Sequence, residues 1–78
     1  MYVYVLRSIS HGNRYIGQTE NIVKRLEEHN QGKCRYTSGR RPWELVYKEK
    51  ATSRSEALER EHFLKSGQGR KLLDAILK

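Results

Sequence analysis

Seventy-eight residues make one domain, with no room for a second core or a large enclosed substrate cavity. Sixteen Lys and Arg against nine Asp and Glu leave a charge of +7 and an isoelectric point near 9.9, which points to a polyanionic partner, nucleic acid ahead of an anionic membrane surface. The single cysteine, Cys34, excludes an internal disulfide and fits a reducing, cytoplasmic compartment, and there is neither a run of about 20 apolar residues nor a signal-peptide layout.

The run YVYVLRS, residues 2–8, alternates and is rich in Val and Tyr, which predicts a strand. Gly12-Asn13 is a turn signal, and RYIGQ, 14–18, predicts a second short strand, so 2–18 reads as a hairpin. ENIVKRLEEHNQG, 20–32, has helical spacing, with Gly32 as its stop. Residues 33–42, KCRYTSGRRP, read as a basic loop ending at the single proline, with Cys34 a bystander thiol. WELVYKEK, 43–50, predicts a third strand with Trp43, Leu45 and Tyr47 on one face. SRSEALEREHFLK, 53–65, predicts a second helix, opened by a capping box of Ser53 and Glu56 and broken by Gly67 and Gly69. RKLLDAILK, 70–78, predicts a last short helix. The expected architecture is α/β (α+β): a small three-stranded antiparallel sheet flanked by helices in the order ββαβαα, one domain over 1–78.

The chemistry-bearing side chains fall on three of these elements. Period-2 spacing puts Tyr2, Tyr4 and Leu6 on one face of the first strand and Tyr15 and Gly17 on one face of the second. Tyr4 and Tyr15 would then project from one patch, with Gly17 leaving open space beside them; Tyr2, Tyr36 and Tyr47 read as ordinary structural tyrosines. On the first helix Arg25 and His29 are i,i+4 neighbours flanking the stripe of Ile22 and Leu26. Each also has a structural explanation, a snorkelling or Glu28-paired cation for Arg25 and a helix-dipole contact for His29. On the second helix Glu61 falls about 40° from Ala57, in the middle of the apolar stripe. A carboxylate there needs compensation, either from Lys65 one turn on or from a divalent cation. Two phenols, a guanidinium, an imidazole and a misplaced carboxylate suit phosphodiester hydrolysis. A phenol would orient or deprotonate the attacking water, provided nearby cations lower its pKa from about 10.

The ordered blocks YVY (2–4), YIG (15–17), RLEEH (25–29), RRPWELVY (40–47) and EALEREHFLK (56–65) resemble the GIY-YIG nuclease superfamily over roughly residues 2–77. The match looks most like its small single-domain bacterial members, of the UPF0213 or excinuclease-C-like type. The resemblance implies Tyr4 as general base or water-orienting group, Tyr15 as a site-lining phenol near the scissile phosphate, and Arg25 as the phosphate-stabilising arginine. It implies His29 as support for proton transfer and Glu61 as the carboxylate that holds one Mg²⁺ or Mn²⁺ ion, with water and phosphate oxygens completing the shell. Tyr2 stands in place of the first signature's glycine, and the stretch after the glutamate helix, GQGRKLLDAILK, has no asparagine where many active members carry one. The expected activity is metal-dependent DNA endonuclease action of low sequence specificity, in DNA repair or processing. The alternative is a non-catalytic DNA- or RNA-binding module on the same fold; a third reading is an interaction domain anchored by Trp43 or Phe63. A branched, nicked or single-stranded target fits a domain that recognises backbone and shape, with a protein partner for targeting. Lys24, Lys33, Arg35, Arg40, Arg41 and Lys48 are the candidate backbone contacts.

Overall fold

A computed structural model describes residues 1–77, so the last residue of the expected final helix and of the 1–78 domain, Lys78, lies outside the described residues. Strands β1 (Tyr2–Ser8), β2 (Arg14–Thr19) and β3 (Trp43–Lys50) form one antiparallel sheet in the order β2-β1-β3. Val3, Tyr4, Val5 and Leu6 are all buried because β1 is the central strand and helices cover both faces. One face packs Val3 and Val5 with Ala57 and Leu64 of helix α3 (Arg54–Lys65) and Leu73 of helix α4 (Gly67–Ile76). The other packs Tyr4, Leu6 and Trp43 with Ile22 and Leu26 of helix α1 (Ile22–Asn30).

The register decides which residues meet. Tyr4 lies opposite Gly17 on β2 and Lys48 on β3, and Leu6 lies opposite Tyr15 and Leu45. Val5 pairs with Tyr47 while Leu6 pairs with Leu45, so Val46 is an extra residue on β3. This bulge overturns the expectation that Trp43, Leu45 and Tyr47 share a face. Trp43 and Leu45 pack with Tyr4, whereas Val46 and Tyr47 pack on the Val3 side.

The helices differ from expectation at their ends. The first helix begins later than residue 20 because Asn21 is its N-cap, its side chain accepting from the Lys24 amide at 3.1 Å. It ends before Gly32, whose φ of +81° reverses the chain. The basic loop of 33–42 contains a four-residue helix, α2 (Arg35–Ser38), held by the Trp43 indole donating to the Thr37 carbonyl at 2.9 Å. At α3, Ser53 caps the Glu56 amide at 3.1 Å as expected, but Glu56 reaches back to Thr52, 2.7 Å from its hydroxyl, rather than to Ser53. Gly67 and Gly69 do not lie between helices. They form the first turn of α4, which Ser66 caps. The order is therefore ββααβαα.

Candidate active site

The site starts from the tyrosine at the centre of the sheet. Tyr4 faces Gly17 across the β1–β2 ladder, and its ring occupies the space a side chain would take: a Cβ on Gly17 would stand 2.7 Å from the Tyr4 oxygen. The open space expected over Gly17 is thus filled, and Tyr4 does not project but is only 2% exposed. Its hydroxyl meets His29 Nε2 at 3.0 Å. His29 is not at the rim of the core either. It is fully buried, one turn beyond Arg25 on α1, and its Nδ1 lies 2.8 Å from Thr37 Oγ1 of α2. Tyr15, on the edge strand, covers this group: its ring centroid is 6.3 Å from Tyr4, 4.8 Å from His29 and 5.8 Å from Tyr36.

Charge in the site is set by burial and one guanidinium. Burial pushes the Tyr4 phenol up to about 12, outweighing the nearby Arg25 guanidinium, which favours phenolate. Arg25 lowers the phenol's pKa as expected, but burial outweighs it and the net shift is upward. Burial, reinforced by Arg25, pulls the His29 imidazole below its ordinary range and favours the neutral ring. Arg25 is held more firmly protonated, by Tyr4 and then by Glu28, which it meets at 3.1 Å. Its side chain is 35% exposed, enough to reach a ligand.

Glu61 lies on α3, across the sheet from α1, and shares no side-chain hydrogen bond with the other four. It sits at the flank of the Ala57–Leu64 stripe rather than in its middle, because the helix turns Leu58 outward to 45% exposure. Its carboxylate accepts from Lys65 at 2.8 Å and is 14% exposed. Lys65 in turn lines an open cleft of about 900 Å³ with Arg14, Tyr15, Tyr36 and Arg70. Among the described residues no three His, Cys, Asp or Glu side chains gather into a metal cage. A donor set of one carboxylate fits an ion of the Mg²⁺ or Mn²⁺ kind, which keeps most of its waters and takes substrate oxygens, and fits no metal that needs a protein cage.

Of the candidate backbone contacts, Lys24, Lys33, Arg35, Arg40 and Lys48 are exposed. Lys24 lines a hollow of about 380 Å³ with Arg25 and Arg54, and Lys48 lies beside Tyr4 on β3. Arg41 is partly committed to the fold, its Nε donating to the Ser38 carbonyl at 2.8 Å and its guanidinium packed on Gly32. Sequence reasoning missed Thr37, Tyr36, Lys65 as a cleft cation, Arg70 and Arg14. Tyr36 and Thr37 sit in the stretch that read as loop, and Lys65 and Arg70 bracket the glycines that read only as a break. Trp43, 3% exposed, offers no surface anchor, and Phe63 is half-buried beneath the Arg60 guanidinium, 4.9 Å from its centroid.

A small three-stranded antiparallel sheet between helices thus buries a tyrosine against a helix histidine and an arginine on one face and carries a carboxylate on the helix across the sheet. The model of the GIY-YIG catalytic domain matches residues 1–73, and the chain belongs to that family. The family is one of nucleases, whose substrate is nucleic acid and which in general depend on a divalent metal. The chain is 47% identical over 66 residues to a UPF0213 protein of Natronomonas pharaonis, covering 83% of this chain and 76% of that one. It is 40% identical over 76 residues to UPF0213 proteins of Staphylococcus saprophyticus and Staphylococcus aureus, covering 96% of this chain and 92% of each. The solution NMR structure of a UPF0213 protein from Bacillus halodurans is 33% identical and superposes with a TM-score of 0.56, covering 96% of this chain and 82% of that one.

Proposed function

We propose that this domain is a metal-dependent DNA endonuclease that hydrolyses phosphodiester bonds with low sequence preference, in DNA repair or processing in the cytoplasm. The observation that carries the proposal is the buried contact between the Tyr4 hydroxyl and His29 Nε2 at 3.0 Å, beside Arg25. A phenol against a neutral imidazole is a two-stage proton acceptor. The attacking water gives its proton to the Tyr4 oxygen as Tyr4 passes its own proton to His29 Nε2, leaving imidazolium. The hydroxide so formed bonds to phosphorus, the bond from phosphorus to the leaving oxygen breaks, and solvent protonates that oxygen. Arg25 turns its guanidinium from Glu28 to the phosphate and offsets the charge that builds on its oxygens. Glu61, freed from Lys65, would hold the ion, and Mg²⁺ or Mn²⁺ there would supply Lewis acidity to the reaction.

The cleft supports a substrate with an unpaired, nicked or branched strand. Tyr15 and Tyr36 place two aromatic rings beside Lys65 and Arg70, the combination that stacks bases without reading their sequence while holding the backbone. Among the described residues no helix is long and apolar enough to cross a membrane.

The test is a cleavage assay on labelled single-stranded, duplex, nicked and flapped DNA in Mg²⁺, Mn²⁺ or EDTA, with Glu61→Ala alongside. Glu61→Ala is expected to abolish metal-dependent cutting and to leave DNA binding within a few-fold of the unaltered protein. Loss of binding as large as the loss of cutting would overturn the role of Glu61. No cutting in any metal, with salt-sensitive binding retained, would make this a non-catalytic binding module.

A further inference from the structure

Four groups form a chain through the core at the end of α1. The Tyr4 hydroxyl lies 3.0 Å from His29 Nε2, His29 Nδ1 lies 2.8 Å from Thr37 Oγ1, and Thr37 Oγ1 lies 3.3 Å from the Cys34 carbonyl oxygen. In the free protein Tyr4 is 2% exposed and His29 and Thr37 are fully buried, so their hydrogen bonds are completed within the protein. Each buried hydroxyl proton must therefore point at an acceptor in the chain.

The protons can be placed one by one. Arg25, the other polar neighbour of the Tyr4 oxygen, carries only N–H donors and accepts nothing. The phenol proton therefore goes to His29 Nε2, which must be bare. A neutral imidazole with a bare Nε2 carries its hydrogen on Nδ1. That N–H donates to Thr37 Oγ1, and the threonine's own proton goes to the Cys34 carbonyl. No donor faces a donor. The opposite tautomer would turn Nε2–H against the phenol and leave the Tyr4 proton in the core with no acceptor.

We propose that Thr37 is a positioning residue, whose hydroxyl oxygen fixes His29 in the Nδ1–H tautomer and turns Nε2 to Tyr4 as an acceptor. This accounts for the four-residue helix in a stretch that reads as loop. The Trp43 indole donates to the Thr37 carbonyl at 2.9 Å, and the Thr37 amide donates to the Cys34 carbonyl at 3.2 Å, which together pin the hydroxyl over Nδ1. Thr37 Oγ1 accepts the same bond from neutral imidazole and from imidazolium, so it holds the ring in place before and after His29 takes a proton. The catalytic consequence rests on the nuclease reading; the tautomer does not.

Nitrogen-15 spectra of the His29 ring read the tautomer directly in the unaltered protein at pH 8, without DNA or metal. Nδ1–H is expected, and Nε2–H would overturn the proposal whatever the chain cleaves. Thr37→Ser is expected to keep Nδ1–H. Thr37→Val, of similar shape but without an acceptor, is expected to shift His29 toward Nε2–H. An Nδ1–H signal as pure in folded Thr37→Val as in the unaltered chain would overturn the role of Thr37. If Thr37→Val does not fold, Thr37→Ala is read in its place by the same criterion. Under saturating DNA, Thr37→Val is expected to lose about tenfold or more in kcat with KM unchanged, and Thr37→Ser to restore it. A change confined to KM would overturn the positioning role. Nδ1–H in a protein that cleaves nothing would uphold the tautomer and overturn the nuclease reading instead.

Discussion

Tyr4 acts as a base only through its neighbour. A phenol held at about 12 by burial carries almost no phenolate at neutral pH, so a proton can enter its oxygen only as its own leaves for His29. Tyr4→Phe keeps the ring that fills the space over Gly17 and removes the oxygen alone. Single-turnover cleavage is expected to slow by at least ~10²-fold, with the thermal midpoint lowered because His29 Nε2 is left buried without a partner; an unchanged rate would move the water's proton to another group. His29 carries a pH signature in both stability and activity. Burial and Arg25 depress its folded pKa while Glu28 opposes them, and Tyr4, Tyr15 and Thr37 complete its surroundings without a charge at neutral pH. As pH falls the unfolded chain takes up this proton first. The contribution of His29 to stability is therefore complete above the ordinary histidine value of about 6.5 and is lost as pH falls from there through the depressed folded value. Thermal midpoints measured from pH 7.5 to 5 are expected to fall less steeply in His29→Gln. An equal fall would assign the effect to other groups.

At the scale of elements, the two glycines of α4 separate cleanly although they look alike in the sequence. A Cβ on Gly67 meets nothing within 4 Å, whereas one on Gly69 would overlap the Phe63 carbonyl and the Leu64 backbone where α4 turns against α3. Gly69→Ala is expected to cost about 1–3 kcal/mol and Gly67→Ala to be neutral or to stabilise by about 0.5 kcal/mol, both read from urea denaturation at constant slope. Equal effects would show that helix propensity, not the close approach, governs this corner. The same contrast explains what the sequence could reveal. The strands were legible because alternation and β-branched composition act locally, and β1 and β3 have the expected bounds. The bulge at Val46, the helix at Arg35–Ser38 and the glycines inside α4 were not legible. Each depends on a partner in another element: β1 for the bulge, Trp43 of β3 for the short helix, and α3 for Gly69.

For the whole molecule, the charge of +7 gave the class of partner but not the path along which it lies. The candidate residues Tyr4, Tyr15, Arg25 and His29 were legible as a set because the blocks that carry them come in the family's order, and the structure joins them in one cluster. Tyr36, Arg70 and Thr37 were not, since a surface tyrosine, a cation after a glycine pair and a threonine in a basic stretch have no local mark. The cleft makes the path testable. Arg70 lines it, whereas Arg7 does not and is tied to Glu44 at 2.8 Å, so it serves as a control. For single-stranded DNA each phosphate contact adds about 0.7 to the slope of log affinity against log salt. Arg70→Gln is expected to make that slope shallower by about that amount, and Arg7→Gln to leave it unchanged. Fluorescence anisotropy over a salt series, in EDTA so that no strand is cut, measures both. A slope untouched by Arg70→Gln but reduced by Lys33→Gln or Arg35→Gln would take the strand out of the cleft and lay it over α2 instead. Tyr15 would then contribute nothing to affinity, and the preference for unpaired strands, which rests on two rings in the cleft, would lose one of them.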